Sequence, residues 1–551
     1  MAEFRKRYAG PLAELPGLPE WERELLCARG INTPEKAEKF LHPQLSDLHD
    51  PLRMQDMDKT LALIREAIAQ KDRIMIYGDY DVDGVSAVTI LLETLKEAGA
   101  VVSFRIPSRH QDGYGLNEKA IREMAELNIG LLITVDCGIS NVAEVRLAKE
   151  LGMKVIVTDH HEIPPTLPPA DAVMDPLLGD YPFRRLCGAG VALKICQALF
   201  GLAGVERRIE IAALATVADI VPLVDENRII VREGMLRMAR TPRPGLRALM
   251  EKAGVQSPIC SDDIAFRLAP RINAAGRLGD ASRGVTLLTT GNLEKAKEIA
   301  AFLEENNRQR QETERRILQE ATNLLAAQAD LGADRALVIS GEEWNAGLIG
   351  LVAGKLCEKY YLPTVVLSRK EGQAVGSCRS IPGVNIFEAL SGCADLLIRF
   401  GGHEQAAGLT IAEEKIPEFR RTLNQVIRES CGPECFQRVW EYDSELELSQ
   451  VTLETIDALA ELEPTGCGNP APVFLCQGAD LQEARRVGKD QSHLKLTLLE
   501  GNALRGGIGF GLGEIADQGW TRVDALFRPS RNEYNGRVSP QLQVQTLRPA
   551  R

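Results

Sequence analysis

Three aspartates at alternate positions, Asp79, Asp81 and Asp83, stand in the segment Gly78-Asp79-Tyr80-Asp81-Val82-Asp83-Gly84. Just before them, Arg73-Ile74-Met75-Ile76-Tyr77 reads as a short buried strand, and residues 86–98 just after have the apolar spacing of a helix. The carboxylates therefore leave the carboxyl end of a strand, where α/β sheets bind their ligands. Clustered like charges repel, and each carboxylate is costly to desolvate, so such a cluster persists mainly where a cation compensates it. Asp and Gly are also ordinary turn residues, but three aspartates in five residues directly behind a strand favour the cation.

The elements that must position these groups recur along the chain. Residues 131–135 form a second apolar strand, ended by Asp136, and residues 154–158 a third, ended by Asp159-His160-His161. The apolar run 212–217 leads into Asp219. Helical patterns at 118–127 and 141–151 separate the first three strands, so the order is β-α-β-α-β. That order implies a parallel sheet with right-handed crossovers, whose strand ends meet at one edge. Four distant segments thus deliver Asp and His to one crevice. Asp with His suits Mn²⁺ or Mg²⁺, and the lack of thiolate at these points argues against zinc. The number of carboxylates favours two cations, which roughly 3.5–4 Å apart can clamp the attacking and leaving oxygens of a phosphoryl displacement.

At 551 residues the chain is too long for one core, so three or more domains are expected. No run approaches the ~18 apolar residues of a membrane span, and the start, Met1-Ala2-Glu3-Phe4-Arg5-Lys6-Arg7, lacks an apolar signal core. The expectation is a cytoplasmic protein with no membrane partner. Its twelve cysteines are scattered; Cys431 and Cys435 form the closest pair and no matching second pair follows, which reads as free thiols. The net charge of 65 − 77 = −12 includes the strand-end aspartates and says little about any one face. Residues 481–551 carry 11 Lys or Arg against 7 Asp or Glu, a local excess of +4. Alternating runs such as Leu494-Lys495-Leu496-Thr497-Leu498, with glycine-rich turns expected at Gly506-Gly507 and Gly511-Leu512-Gly513, fit a small oligonucleotide-binding barrel. Of its aromatics, Phe510, Trp520, Phe527 and Tyr534, most are expected in the barrel core, with base stacking as the other role open to them. Residues 303–327 hold dense Glu, Arg and Gln and no Gly or Pro, the pattern of one long, mostly solvated helix between two lobes. A new α/β unit then opens with a strand at 336–339, a helix at 347–360 and a strand at 364–367.

Asp79-Tyr80-Asp81 with Asp83, the strand-end Asp136, the Asp159-His160-His161 triplet and Asp219 resemble the four motifs of the DHH phosphoesterase superfamily. Three further stretches resemble its bacterial single-strand-specific exonucleases: Ile106-Pro107-Ser108-Arg109 with Gly113-Tyr114-Gly115-Leu116, the run from Pro270 to Leu278, and Gly401-Gly402-His403. The resemblance extends from His42-Pro43 to beyond Glu463-Pro464, and each motif is only moderately specific alone, whereas their order is highly specific. It implies an α/β chain with a parallel-sheet DHH domain at 61–300 after an N-terminal extension of 1–60. A connecting helix at 301–330, a second α/β (DHH-associated) domain at 331–430 and an OB-like C-terminal β-barrel at 431–551 would follow.

By the same resemblance, Asp79, Asp81 and Asp136 hold one Mn²⁺ or Mg²⁺, while Asp83, Asp136, His160 and Asp219 hold a second. His161 would face the phosphate and Asp159 would orient His160. Arg109, Tyr114, Arg271, Asn273, Arg277, Ser377, Arg379 and His403 would bind phosphate or nucleic acid, although for Arg271 a plain surface ion pair is an open alternative. The implied activity is 5′ to 3′ degradation of single-stranded DNA to mononucleotides by two-metal hydrolysis, in recombination and repair. A single-strand-binding protein and a helicase would be partners. A phosphodiesterase for very short oligonucleotides or cyclic dinucleotides would not need the basic C-terminal domain. A non-catalytic DNA-binding scaffold would not need intact aspartates.

Overall fold

Aliphatic and β-branched runs build a five-stranded, all-parallel sheet: β1 (Arg73–Gly78), β2 (Val101–Arg105), β3 (Ile129–Val135), β4 (Lys154–Thr158) and β5 (Ala172–Met174). The computed structural model from which this is read describes residues 3–107, 115–278, 280–328, 333–534 and 536–550. The strand order is β2-β1-β3-β4-β5, so β1 has β2 on one side and β3 on the other. Connections leave in opposite directions there, which opens a crevice at the carboxyl ends of β1 and β3. The two strands absent from the pattern reading are the edges: β2 is largely solvent-facing and β5 has three residues.

Alternation along the inner strands assigns the two faces. Ile74, Ile76, Ile133, Val135 and Ile156 pack under the helices Val82–Glu97 and Gly188–Glu206. Met75, Tyr77, Leu132, Val155 and Val157 pack under Glu118–Glu126 and Val142–Glu150. The run leading into Asp219 is a helix, Ile209–Ala218, with Asp219 as its C-cap. It is buried on every side from Ile209 to Val217, so its sequence carries no amphipathic period to mark it. The helix Gly188–Glu206 is long and apolar enough to cross a membrane, contrary to the expectation that no such segment exists. It is kinked at Gly201, and Gly188 through Cys196 are all buried within the core.

The chain divides into two compact units, one of Lys6–Asn306 with Tyr442–Arg551, the other of Met1–Arg5 with Asn307–Glu441. The boundary falls inside a single 36-residue helix, Leu293–Gln328, which starts earlier than the expected 301. In the first unit the C-terminal strands Phe474–Val487, His493–Glu500, Ala503–Gly509, Arg522–Tyr534 and Arg537–Pro549 close into a barrel. Gly506 and Gly507 lie within a strand of it rather than at a turn. Phe527 is core, whereas Phe510 and Tyr534 are exposed and Trp520 is half-buried against the core.

The N-terminal segment is no free extension. Leu25, Leu26, Ile31, Phe40 and Leu41 share one hydrophobic core with Phe474, Leu494, Leu496 and Phe527 of the barrel. Arg228, fully buried on the helix Asp225–Met238, stacks 3.7 Å from the Phe40 ring centroid. It also donates to the carbonyls of Phe40, Glu461 and Leu462, joining three segments.

The second unit carries a five-stranded sheet ordered Leu397–His403, Ala406–Ala412, Gln373–Arg379, Thr364–Lys370, Leu337–Glu342. Its last two strands are parallel, joined through the helix Ile349–Tyr360. All twelve cysteines are free thiols.

Candidate active site

Each strand-end carboxylate is fixed by local backbone chemistry. Asp81 caps the helix Val82–Glu97, its Oδ1 accepting from the Gly84 N–H at 3.0 Å. Asp83, in the first turn of that helix, accepts from the N–H groups of Gly188 (2.6 Å) and Ala189 (2.7 Å), the start of the helix Gly188–Glu206. That helix end favours negative charge. Asp136 follows β3 in a left-handed conformation, φ 58°. A Cβ on Gly188 would lie 2.6 Å from the Asp136 Cβ, so only glycine lets the helix come this close.

These placements bring three groups of ligand atoms together, each group within 4.8 Å: Asp79 with Asp81 and Asp136; Asp83 with His160 and Asp219; and Asp136 with His160 and His161. His160 Nε2 is 3.1 Å from Asp136 Oδ1, 3.6 Å from Asp83 Oδ2 and 3.8 Å from Asp219 Oδ2. Burial and then the neighbouring aspartates raise the Asp136 carboxyl well above the usual range. Burial and Asp83 raise Asp81, and burial, Asp83 and Asp81 push Asp219 up to about 8. Burial holds His160 below its ordinary value, so its ring is neutral and free to ligate.

Such a cluster resists ionising unless positive charge is supplied, and its donors are carboxylate oxygens and imidazole nitrogen, the set that Mn²⁺ and Mg²⁺ prefer. The flanking thiols do not compete. Burial, reinforced by the aspartate charges, raises Cys137 and Cys187 well above a normal thiol, so neither offers thiolate to zinc. The residues fit two divalent cations, with Asp136 common to more than one ligand group.

The structure corrects the role expected of Asp159. Its Oδ1 lies 2.7 Å from His161 Nδ1, so the ring it orients is that of His161, not His160. The same carboxylate accepts from the N–H groups of Ile139, His160 and His161. The bond to the His161 ring and the charge of that ring, then the Ile139 and His160 N–H groups, hold it low despite its burial. Burial works against charge on His161, but the bond to Asp159 and the charges of Asp159 and Asp219 outweigh it and push the imidazole up to about 9. At neutral pH it is a cationic donor beside the carboxylates.

The expected phosphate ligands divide. Arg109 and Tyr114 lie outside the described residues. Arg271 is engaged by Glu304 and the Arg267 carbonyl, the ion-pair alternative, because its helix Ala269–Leu278 packs beside the long helix. Asn273, half-buried, accepts from the Val82 N–H at 3.2 Å through its Oδ1, which ties its helix to the aspartate loop. Arg277 is half-buried in the last turn of the same helix. Ser377, Arg379 and His403 belong to the other unit. Arg379 donates to Ser377 Oγ and the Cys378 carbonyl, and Gly401-Gly402-His403 form an exposed strand end paired with Ala406–Gly408. The Gly188 and Ala189 donors that hold Asp83 escaped the sequence reading. Their one signal is Gly188-Ala189-Gly190 at the head of an apolar run.

The family models match in chain order: the DHH family, N-terminal domain, over residues 73–221; the DHHA1 domain over 333–429; and the RecJ OB domain over 442–546. A parallel sheet with carboxylate and histidine ligands at its switch point, followed by a DHHA1 domain, makes the chain a metal-dependent phosphoesterase of the DHH class. Single-stranded-DNA-specific exonuclease RecJ of Bacillus subtilis (strain 168) is 40% identical over 94% of this chain and 67% of its own length. That of Dickeya dadantii (strain 3937) is 34% identical over 97% of each. The crystal structure of RecJ from Thermus thermophilus in complex with Mn²⁺ superposes with a TM-score of 0.83 at 32% identity, covering 99% of this chain and 79% of that one. A second structure of that protein holds Mg²⁺. The chain belongs to the RecJ family.

Proposed function

We propose that the chain is a single-strand-specific DNA exonuclease that starts at the 5′ end, releases mononucleotides, and serves DNA recombination and repair in the cytoplasm. The observation that carries the reading is the pair of ligand groups, Asp79/Asp81/Asp136 and Asp83/His160/Asp219, built side by side at the sheet switch point. The printed names of relatives that match nearly the whole chain support the substrate. A single-strand-binding protein and a helicase fit as partners for an enzyme that needs its strand opened and covered.

Bound at these groups, a pair of Mn²⁺ or Mg²⁺ ions supplies a Lewis-acid clamp for the attacking and leaving oxygens of a phosphodiester. The chain's own residues set the geometry. Gly188 and Ala189 fix the Asp83 carboxylate, Gly84 fixes Asp81, and Asn273 holds the loop between the aspartates. His161, charged and aimed by Asp159, donates to a non-bridging phosphate oxygen as negative charge gathers on it. Arg109, Tyr114, Arg277, Ser377, Arg379 and His403 are assigned to the strand's phosphates, where the guanidinium fork is suited to the task. The domain ranges are assigned as DHH 61–300, DHH-associated 331–430 and barrel 431–551, with residues 1–60 attached to the barrel core.

The test is degradation of a long single strand, its duplex and a dinucleotide with Mn²⁺. Rapid loss of the single strand with the duplex spared supports the reading. Cleavage confined to the dinucleotide would instead assign a short-substrate phosphodiesterase.

A further inference from the structure

Beside the metal ligands lies an apolar surface with no part in the scheme above. Ile220 directly follows Asp219, whose Oδ2 is 3.8 Å from His160 Nε2, and it is 74% exposed at φ 59°. A β-branched residue in the left-handed region is strained and persists only where its surroundings hold it. Phe266 is 73% exposed on a π-helical turn, Ile264–Leu268, an irregularity that recurs at functional sites. Both line one pocket of about 270 Å³, with Val221 and Ala265 on one wall and Thr465–Cys467 on another. The second wall is fixed to the first. Ser261 Oγ donates to the Thr465 carbonyl at 2.6 Å, and the Leu223 N–H donates to the Cys467 carbonyl at 2.8 Å.

We propose that this pocket seats one unpaired nucleobase of the substrate strand, with the Phe266 ring as its stacking surface. The inference rests on the exonuclease reading and adds a source of its single-strand preference. Ile220, next to the ligand Asp219 in the chain, lines the pocket, so the pocket adjoins the centre proposed to take the scissile phosphate. Asp262 is the only charged residue among the described residues of the lining, so backbone phosphate is repelled while a flat, neutral base is accepted. Stacking on an aromatic ring is open to every base, which suits an enzyme that does not read sequence. A base inside a duplex has both faces covered by its neighbours and cannot enter. The wall at 465–467 lies in the segment that leads into the barrel strand Phe474–Val487, so the pocket is built where the DHH fold meets the chain entering the barrel.

The experiment uses full-length protein with Mn²⁺ and single strands carrying one abasic tetrahydrofuran unit at successive positions from the 5′ end. In the native enzyme one position is expected to lose about tenfold in kcat/KM when its base is missing. Phe266→Ala should lose about tenfold on the complete strand and show no added penalty at that position, while Phe266→Trp should restore the penalty. An unchanged position-specific penalty in Phe266→Ala, or no sensitive position in the native enzyme, overturns the proposal. Failure of the native enzyme to degrade any single strand overturns the exonuclease reading itself, and this inference with it.

Discussion

Asp136 belongs to two of the three ligand groups and is nearly inaccessible to solvent, so its loss should remove the compensation between both cations. Asp136→Ala is expected to abolish cleavage while most DNA binding survives, and near-normal turnover with excess metal would exclude a shared ligand. The two histidines should separate. His160→Ala is expected to lower the Mn²⁺ stoichiometry seen by calorimetry, whereas His161→Ala should keep it and lose about 10²-fold or more in turnover. Because Asp159 holds His161, Asp159→Asn should behave like His161→Ala, and metal loss in that variant would contradict the arrangement. The ligand positions were legible because each stands directly behind an apolar run. The partner of Asp159 was not, since adjacent histidines offer a sequence no means of choosing between them. Asp175, which follows β5, escaped notice altogether because that strand is so short. It is fully buried, Oδ1 accepts from the Leu177 N–H, and Oδ2 has no hydrogen-bond partner among the described residues. Burial, helped by the Asp159 charge, pushes its carboxyl up to about 7. A carboxyl whose folded value exceeds its unfolded value of about 3.9 contributes stability in full below that value. That contribution is lost as pH rises through about 7. Asp175→Asn should therefore unfold near the native temperature at pH 4 and above it at pH 8. Equal pH dependence in both proteins would show that the carboxyl is not strained.

At the scale of elements, the metal loop is held from three sides: by the start of the helix Gly188–Glu206, by the cap on Val82–Glu97, and by the helix Ala269–Leu278. The last contact needs Gly276, where a Cβ would fall 2.3 Å from the Tyr80 carbonyl oxygen. Gly276→Ala must push the helix off the loop, at a cost of about 1–3 kcal/mol. Its clearest readout is weaker Mn²⁺ binding along with a lower melting temperature; unchanged Mn²⁺ affinity would mean that the helix does not brace the loop. The inner strands β1, β3 and β4 were readable because, sandwiched between helices, they are almost continuously apolar. The helix before Asp219 was not recognisable as one, because complete burial erases the 3.6-residue period that distinguishes a helix from a strand. Asn273 shows the same limit for side chains: the resemblance offered phosphate as its partner, and no local pattern indicated that its Oδ1 accepts from the Val82 N–H.

Across the whole molecule, the barrel's basic excess was visible in the residue count, but its attachment was not. Residues 15–41 and the barrel make one core, a contact between chain ends that no local pattern encodes. Deleting the barrel would expose Leu25, Leu26 and Phe40, so surface substitutions are the cleaner probe of its role. Arg485 and Lys495 face each other across the barrel ladder, and Lys489 is exposed at the nearby hairpin end. If these cations lie along the strand's path, Lys489→Ala with Lys495→Ala should lower the slope of log affinity against log salt by about 1.4. An unchanged slope would move the track to another face. The roles proposed for these residues all serve a metal-dependent centre that consumes a single strand from its 5′ terminus. The most direct measurement is a time course with Mn²⁺ on one strand labelled at the 5′ end and on the same strand labelled at the 3′ end. The 5′ label is predicted to appear as mononucleotide from the earliest times while the 3′ label remains on progressively shorter strands; a 5′ label that persists on shortening fragments would contradict it.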